Sequence, residues 1–335
     1  MLSSLYAAAA RRRREFYASR PDRRRRLRRP VISVGNLAVG GRSKTPTVAC
    51  LARLLLDMGE RPAIASRGYA RRLRDDGVVV VRDADGIRAD LDRSGDEPLM
   101  LARQLPGACV LASSNRYLAG CLAERQLGAT VHLLDDGFQH LELDRDIDLV
   151  IVAGEDLDEG ARTLPGGRLR EPPDTLLAAD AILALDDRVL TLGPKPRHAP
   201  FEMFRLRRSI GVPVGTNGSL EGEKSIAVAG IAGPQQFFDD LRAAGHQLAD
   251  TIAFPDHHRY TRRDVDRLFS SARRAGAARI LTTEKDYMRL LPFRPFAVPV
   301  AWIPLTVEPD PLPEFRAWLS DALDAARDIV RPRAS

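Results

Sequence analysis

A glycine-rich segment with the residue types of a phosphate-binding loop runs from Gly35 to Pro46. The run 31–34 before it predicts a strand, and the pattern over 44–58 after it predicts a helix. In such a unit, backbone N–H groups cradle phosphate, a Lys reaches the terminal phosphates and a Thr hydroxyl binds Mg²⁺. The segment therefore predicts an ATP site formed by Ala38, Val39, Gly40, Gly41, Arg42, Ser43, Lys44 and Thr45.

The loop departs from the usual pattern at the residue before Lys44. Ser43 stands where a glycine is expected, and its Cβ restricts the backbone and crowds it against a phosphate. A glycine turn that simply opens a helix at Thr45 is the alternative interpretation. Lys44 is one of only four Lys among 51 basic residues, and an ammonium is not replaced by a guanidinium. Chance survival would explain any single Lys about as well.

Two acidic residues, Asp135 and Asp136, follow the predicted strand 131–134. A carboxylate at the end of a strand beside a phosphate loop can hold Mg²⁺ directly or through water. An Asp-Gly turn after an edge strand would explain both residues without a metal. Because the phosphate-loop segment lies upstream in the same chain, the sequence favours Mg²⁺ binding at this acidic end of the strand.

Another acidic segment, 94–97, precedes a predicted helix at 98–104. Ser94 and Glu97 fit a capping box, which is a purely structural arrangement. That interpretation leaves Asp96 unexplained. Beside a Mg²⁺ site, an Asp can accept the proton of an attacking hydroxyl, so Asp96 is a candidate base.

Two adjacent histidines, His257 and His258, lie in a polar loop before a helix that Thr261 and Asp264 can cap. One interpretation is a solvated loop. The other is that a His reaches the cleft from a second structural unit, pairs with a carboxylate and tunes its basicity.

The elements that must carry these residues alternate as strand and helix from Pro30 onward. This alternation predicts an α/β fold in which a P-loop NTPase-like parallel sheet has helices on both faces. A stretch rich in Gly, Pro and charge interrupts it at 186–224, with one strand-like run at 201–206. The expected organisation is a basic arm over 1–29, a phosphate-loop core over 30–190, a linker with a strand over 191–224, and a smaller α/β domain over 225–328 that closes over the cleft.

The basic character of the chain belongs to its N-terminal arm. Residues 1–30 hold eleven Arg and two acidic residues, a net charge of +9, whereas the whole chain carries +6. Apolar residues at near-helical spacing beside Arg11–Arg14 predict a short amphipathic helix that can lie on an anionic membrane surface. A surface helix packed on the body, followed by a solvated linker, is the alternative. Because the body itself is slightly acidic, no nucleic-acid partner is expected.

The apolar runs and the cysteines argue against a membrane-spanning protein and against a zinc-binding or disulfide-rich one. The chain has no apolar run near 18 residues, so a membrane-spanning helix is not expected. Its three Cys are odd in number and lack a CxxC spacing, which disfavours both a zinc site and a disulfide framework.

Several segments in order resemble the tetraacyldisaccharide 4′-kinases, the lipid A kinases of Gram-negative bacteria. The resemblance covers about residues 1–325, and the run Asp135-Asp136-Gly137-Phe138-Gln139-His140 is its most specific part. The other segments are 30–46, 66–69, 95–98, 164–172, 230–232, 254–260 and 282–286. The resemblance implies transfer of the ATP γ-phosphoryl group, with Mg²⁺, to the 4′-hydroxyl of a lipid A disaccharide precursor. It also implies a peripheral location on the cytoplasmic face of the inner membrane.

The resemblance also implies roles for matching residues. Lys44 and Thr45 would contact phosphate and Mg²⁺, and Glu97 and Asp135 would lie near the metal. Asp96 would be the base and His257 its partner. His257 is preferred over His258 because the family motif is firmest at the Asp-His pair 256–257, with a variable residue after it. The residues expected to line the cleft are Tyr69, Arg116, Asp136, Gln139, His140 and Arg170.

The family usually has Thr-Gly or Ser-Gly where this chain has Arg42-Ser43. The other chemical residues are all present, which favours an active kinase. Three rivals stay open: a scaffold that binds the lipid precursor without turnover, an ATPase with another partner, and an RNA-associated protein that uses its Arg arm.

Overall fold

Strands alternate with helices along most of the computed structural model, which describes residues 1–40, 43–69, 71–73, 77–192, 201–215 and 223–330. Within these residues the helices are α1 (Leu2–Ala18), α2 (Lys44–Asp57), α3 (Leu91–Ser94), α4 (Asp96–Gln104), α5 (Arg116–Gln126), α6 (Asp187–Leu192), α7 (Pro234–Ala243), α8 (Arg262–Arg274), α9 (Glu284–Leu290) and α10 (Leu312–Val330). The strands are β1 (Val31–Asn36), β2 (Pro62–Ser66), β3 (Val79–Asp83), β4 (Gly86–Ile87), β5 (Cys109–Ala112), β6 (Val131–Asp135), β7 (Ile147–Val152), β8 (Ala181–Ala184), β9 (Glu202–Ile210), β10 (Ser225–Ala229), β11 (Leu248–Ala253), β12 (Arg279–Thr283), β13 (Val300–Ile303) and β14 (Leu305–Asp310). The predicted α/β class is confirmed.

The larger sheet places β1 at its centre. Its strand order is β14-β9-β8-β7-β1-β6-β2-β5-β3-β4, and β1 pairs in parallel with both β6 and β7. Every residue of β1 is buried, as expected for a strand covered on both faces. Val34 lies opposite Asp135 in the β1–β6 register. The loop after β1 and the acidic end of β6 therefore emerge at the same edge, where open α/β sheets bind ligands.

The smaller sheet has four parallel strands in the order β11-β10-β12-β13. Its core includes Val265 and Leu268 of α8 and Met288 of α9. Leu99 and Met100 of α4 belong to the same apolar cluster. Helix α4 therefore packs between the two sheets, and its first residue, Asp96, lies where both sheets can contribute side chains.

The chain returns to the larger sheet at its C-terminal end. Strand β14 pairs antiparallel with β9, with Leu305 opposite Ile210. Phe315 and Leu319 of α10 pack in the same apolar cluster as Phe204 of β9. The strand expected in the linker, β9, belongs to the larger sheet, and residues 305–330, which were expected in the smaller domain, also pack on the larger sheet. The apolar faces of β9, β14 and α10 explain the difference.

The two predicted helix caps have different outcomes. Thr261 and Asp264 form the expected capping box at the start of α8. The capping box predicted for Ser94 and Glu97 is wrong: α4 begins after Gly95, and the Ser94 hydroxyl donates to the carbonyl of Asp90, the residue that caps the start of α3. Gly95 has a φ of 84°, in the region that only glycine adopts without strain, so the chain can turn sharply into α4.

Helix α1 is confirmed as a helix with exposed apolar side chains. Leu2, Leu5, Tyr6 and Phe16 are all exposed, and none of its residues is fully buried. Its first turn contacts the body through Ser3, whose carbonyl accepts from the Thr163 hydroxyl at 2.6 Å. Across the described part of the chain, no helix combines the length and apolar character needed to cross a membrane.

Candidate active site

The loop after β1 brings Lys44 to the start of α2. Lys44 Nζ donates to Asn36 Oδ1 at 3.1 Å and lies 3.5 Å from Asp136 Oδ1. The Nδ2 atom of Asn36 is buried and has no hydrogen-bond partner among the described residues, so a donor beside Lys44 is available to a ligand. Thr45 is buried in the first turn of the same helix, where backbone N–H groups favour anions.

The rest of the predicted ATP loop is partly described. Ala38 is buried, and the Val39 N–H donates to the carbonyl of Arg168 at 2.8 Å. Gly40 and Ser43 have φ values of 107° and 56°. A serine in the left-handed region is strained relative to glycine, which agrees with glycine being the usual residue there. Gly41 and Arg42 lie outside the described residues.

Asp135 is a buried carboxylate at the end of β6. Its side chain is 3% exposed and accepts a hydrogen bond from the Ser66 hydroxyl at 3.3 Å. Burial and the neighbouring carboxylates of Glu97 and Asp136 raise its pKa to about 7, against the opposing effect of Lys44 and Arg116. A carboxylate crowded by other carboxylates is stabilised in its charged form by a nearby cation.

Asp136 has a different environment although it is the next residue. Its φ of 57° turns the chain sharply after β6. Both of its carboxylate oxygens accept from Arg170 Nη1, at 2.9 and 2.8 Å. Burial would raise the pKa of Asp136, but Lys44 and Arg170 together hold it below its usual value. Asp136 is therefore a carboxylate anion that holds the side chains of Arg170 and Lys44 in position.

Asp96 and His257 lie within hydrogen-bonding distance, although they belong to segments flanking different sheets. The ring atom Nδ1 of His257 is 3.1 Å from Asp96 Oδ2. The backbone N–H of His257 donates to the carbonyl of Gly230 at 3.1 Å. His257 has a φ of 57°. Few residues other than glycine adopt this conformation, and here it accompanies the contact between the His257 ring and Asp96.

Lys285 and Arg289 of α9 complete this cluster, and sequence reasoning gave neither of them a role. Lys285 Nζ donates to Glu97 Oε1 at 2.9 Å and lies 3.1 Å from His257 Nε2. An ammonium has no lone pair, so Nε2 is the acceptor and Nδ1 carries the proton that points at Asp96. Arg289 Nε donates to Asp96 Oδ2 at 2.6 Å, and a second guanidinium nitrogen contacts the same oxygen.

These contacts set the charge of Asp96, which is 3% exposed. Burial would raise its pKa, but the hydrogen bond from His257 and the charges of Lys285 and Arg289 hold the pKa of Asp96 far below its usual value. The Glu97 N–H also donates to Asp96 Oδ1 at 2.9 Å. Asp96 is therefore a carboxylate at neutral pH. Burial would lower the pKa of Lys285, but Glu97 and Asp96 raise it above its usual value.

The predicted cleft residues divide into three groups. Tyr69 is exposed, and its ring centroid lies 4.7 Å from that of His257. Arg170 and Gln139 lie beside Lys44, where Gln139 Nε2 donates to the carbonyl of Asn36 at 3.0 Å. Arg116 is buried and donates to the backbone carbonyl of Asp135 at 3.3 Å, so it supports that loop from inside. Burial lowers its pKa to about 10.

His140 is half-buried at the end of the same loop. Burial and the nearby guanidinium groups of Arg116 and Arg145 lower its pKa to about 4. It is therefore a neutral imidazole at physiological pH. Its backbone carbonyl accepts from Arg145 Nη1 at 2.9 Å, so this part of the loop is anchored to the body.

The acidic residues suit Mg²⁺ that arrives with a nucleotide better than they suit a metal held by the protein alone. In the described ranges, no three His, Cys, Asp or Glu side chains are grouped as a metal site. Mg²⁺ usually keeps several waters and is bound through one or two carboxylates together with substrate phosphates. The Thr45 hydroxyl and the crowded Asp135 carboxylate are oxygen donors of that kind, and a cation would relieve the repulsion that raises the pKa of Asp135.

Comparison with known families places this chain among lipid kinases. The model of the family described as tetraacyldisaccharide-1-P 4′-kinase (LpxK) matches residues 1–324. A tetraacyldisaccharide 4′-kinase of Pelobacter propionicus is 41% identical over 300 residues, which covers 86% of this chain and 81% of the relative. One of Geobacter metallireducens is 40% identical over 299 residues, covering 87% and 88%.

A solved structure has the same fold. The crystal structure of LpxK from Aquifex aeolicus in complex with ATP is 30% identical in sequence and superposes with a TM-score of 0.77. The match covers 96% of this chain and 97% of that one. The similarity therefore extends over both sheets and is not confined to the phosphate loop.

Proposed function

Since the chain belongs to the tetraacyldisaccharide-1-P 4′-kinase family and is a kinase, we propose that it transfers the γ-phosphoryl group of ATP to the 4′-hydroxyl of a tetraacyldisaccharide 1-phosphate lipid A precursor. The observation that carries this proposal is the meeting of two clusters at one edge of the larger sheet. The loop after β2 joins them: Ser66 donates to Asp135 at 3.3 Å, and the ring centroid of Tyr69, three residues later, lies 4.7 Å from that of His257. A phosphate site and a carboxylate–histidine pair thus adjoin one cleft.

The phosphate side of the cleft binds ATP. The N-terminus of α2 and Lys44 bind the phosphates, and the Asn36 amide offers a further donor. Asp136 holds Lys44 and Arg170 in place, which leaves Asp135 and Thr45, with Glu97 nearby, to hold Mg²⁺. When bound, Mg²⁺ neutralises phosphate charge and orients the γ-phosphoryl group.

The base side of the cleft orients the acceptor hydroxyl. Asp96 accepts the hydrogen bond of the 4′-hydroxyl and finally its proton, while His257 fixes the carboxylate through Nδ1. A carboxylate with a lowered pKa is a weak base. This suffices in a loose phosphoryl-transfer transition state, where catalysis comes mainly from positioning and electrostatic stabilisation. Lys285 keeps His257 in the required tautomer.

The two sheets supply different parts of this base side. Asp96 begins α4, whereas His257, Lys285 and Arg289 belong to segments of the smaller sheet. We propose that movement of the smaller sheet toward the phosphate loop closes the cleft around ATP and acceptor. Closure would exclude water and so suppress ATP hydrolysis.

The N-terminal arm is proposed to hold the kinase on the cytoplasmic face of the inner membrane. The exposed apolar residues of α1 and the Arg residues beside them suit insertion at an anionic interface. Since the acceptor is an acylated sugar, a peripheral location brings the cleft to its substrate.

Transfer is tested by incubating the purified chain with labelled ATP, Mg²⁺ and the disaccharide 1-phosphate, followed by chromatography of the lipid. We expect label in the lipid for the wild type and almost none for Lys44→Ala. Lys224→Ala is the matched control, because Lys224 is an exposed lysine of the smaller unit. ATP consumption without labelled lipid would indicate an ATPase, and lipid binding without ATP consumption would indicate a scaffold; either result rejects the proposal.

Membrane contact is tested separately by deleting residues 2–28. We expect the shortened chain to sediment less with anionic vesicles, and we expect added salt to weaken binding of the intact chain. Vesicles of neutral lipid are the control. Equal sedimentation of both chains would show that the arm is not the anchor.

A further inference from the structure

One arginine of α1, Arg14, packs against the body of the protein with most of its side chain buried. Arg14 donates from Nε to Glu171 Oε1 at 3.0 Å and from Nη2 to Glu171 Oε2 at 2.7 Å. The side chains of the two residues are 13% and 5% exposed. Arg14 Nη2 also donates to the carbonyl of Phe138 at 3.2 Å, and its guanidinium lies 4.0 Å from the centroid of the Phe138 ring. Such a two-point, partly desolvated pair fixes geometry as well as charge.

The contact continues from Glu171 to the phosphate loop. Gln139 Nε2 donates to Glu171 Oε2 at 3.2 Å and to the carbonyl of Asn36 at 3.0 Å. The side-chain oxygen of Asn36 accepts from Lys44 Nζ at 3.1 Å. We call the set Arg14, Glu171, Gln139, Asn36 and Lys44 the Arg14–Lys44 network.

A second branch reaches Lys44 through its other partner. Arg170 Nη1 lies 3.4 Å from Gln139 Oε1 and donates to both oxygens of Asp136. Asp136 Oδ1 lies 3.5 Å from Lys44 Nζ. Gln139 therefore links Glu171 to both groups that hold the lysine.

Another arginine of the same helix provides a contrast. Arg11, one turn before Arg14, pairs with Asp174 at 2.8 Å, but these side chains are 47% and 53% exposed. Water screens such an exposed ion pair, so the pair does little to fix the position of either side chain. The two arginines carry the same charge on the same helix, yet only Arg14 is joined to the buried network.

We propose that Arg14 and Glu171 are positioning residues of the phosphate site, so that α1 is a structural part of the kinase centre in addition to its proposed membrane contact. Glu171 is 3% exposed, and loss of Arg14 would leave its charge without its cation. A buried carboxylate then recruits water or another cation, which displaces Gln139. Asn36 and Asp136, the two residues that contact the Lys44 ammonium, would then no longer be held in fixed positions. The inference rests on the proposed function for the identity of the acceptor, but not for the ATP site.

The first experiment compares Arg14→Ala with Arg11→Ala in the full chain. Each change removes one positive charge from α1, but only Arg11 is exposed, so sedimentation with anionic vesicles should fall more for Arg11→Ala than for Arg14→Ala. Transfer to acceptor presented in neutral detergent micelles should separate the variants, with kcat about 10- to 100-fold lower for Arg14→Ala because small displacements of catalytic groups have effects of this size. Equal kcat values for the two variants would overturn the inference.

A second measurement needs no acceptor. MgATP should raise the unfolding temperature of wild type and of Arg11→Ala, and this increment should shrink for Arg14→Ala. A general loss of stability would lower the starting temperature and leave the increment unchanged. If the wild type shows the increment but transfers no phosphate to the lipid, the proposed function fails, while the comparison of increments still decides the role of Arg14.

Variants of the pair keep the test valid if Arg14→Ala folds poorly. Glu171→Gln preserves shape and should lose the same MgATP increment. Arg14→Lys keeps the charge but not the two-point geometry, so it should fall between wild type and Arg14→Ala. A full increment in Glu171→Gln would show that the carboxylate does not position the loop and would reject the inference.

Discussion

Asp96 and Asp135 are equally buried, at 3% exposure each, yet their pKa values move in opposite directions. Burial favours the neutral form of both. Asp135 faces Glu97 and Asp136, and its pKa rises to about 7. Asp96 accepts from His257 and Arg289, and its pKa falls well below the usual range. Because both residues are equally buried, their neighbours account for the difference: one side of the cleft is arranged to keep an anion, and the other to receive a cation.

The sharpest test of the contrast is to neutralise each aspartate in turn. Asp96→Asn should lower kcat by about 10²–10⁴-fold, the usual contribution of a positioned base, with little change in ATP affinity. His257→Ala should act on the same step, so the double variant should be barely worse than the poorer single one. Steady-state kinetics and ATP binding measure both quantities, with the exposed Asp92→Asn as control.

Two outcomes would contradict this assignment. Fully multiplicative losses in the double variant would mean that Asp96 and His257 act separately. Loss of ATP binding in Asp96→Asn would move that residue to the metal, and the two aspartates would then share one role.

Removing the cation beside Asp96 should make it resemble Asp135. Arg289→Gln removes one of the three groups, with His257 and Lys285, that hold Asp96 ionised, and breaking a buried ion pair typically costs about 3–5 kcal/mol of unfolding free energy. The stabilisation from a lowered pKa is full above the unfolded value of about 4 and is lost as pH falls further. The difference between wild type and variant in urea unfolding should therefore narrow from pH 7 to pH 3. A constant difference would show that Arg289 acts through packing.

Asp135→Asn tests the opposite case in Mg²⁺-free buffer. The raised pKa means that the folded chain holds the proton more tightly than the unfolded chain, so stability declines as pH rises from about 4 to about 7. Asparagine removes this decline. The variant should gain on the order of 4 kcal/mol over wild type at pH 8 and little at pH 4. An equal gain at both pH values would reject the electrostatic explanation.

The smallest expected effect is at the loop that faces Asp135. Ser43→Gly relieves a left-handed serine, so ATP should bind equally well or up to about fivefold tighter. Calorimetry with MgATP measures the change, and Ser43→Ala tests the hydroxyl without relieving the backbone. A large loss of affinity in Ser43→Gly would show that the serine makes a contact of its own.

The sequence indicated the phosphate loop, the acidic end of β6 and the candidate pair Asp96–His257, because each follows a recognisable local pattern. Their chemical roles stay predictions. Arg289 and Arg14 could not be distinguished among so many arginines, since their importance comes from burial created by distant segments. Strand β11, helix α9 and strand β14 were also missed. The sequence of β11, residues 248–253, does not alternate regularly between polar and apolar residues, and it forms a strand because it pairs with β10.

The return of the chain to the larger sheet has a topological consequence. The Gly211 N–H donates to the carbonyl of Pro304, so Ile210 and Leu305 form the adjacent non-hydrogen-bonded pair of the antiparallel ladder, with Cα atoms only about 4.5 Å apart. Strands β9 and β14 thus pair as the two strands of a β-hairpin do, and residues 211–304 form a long insertion between them. Two adjacent strands, and not a single linker, therefore connect the smaller sheet to the larger one. A two-residue turn joining 210 to 305 would close the hairpin, and the larger sheet would keep all ten of its strands.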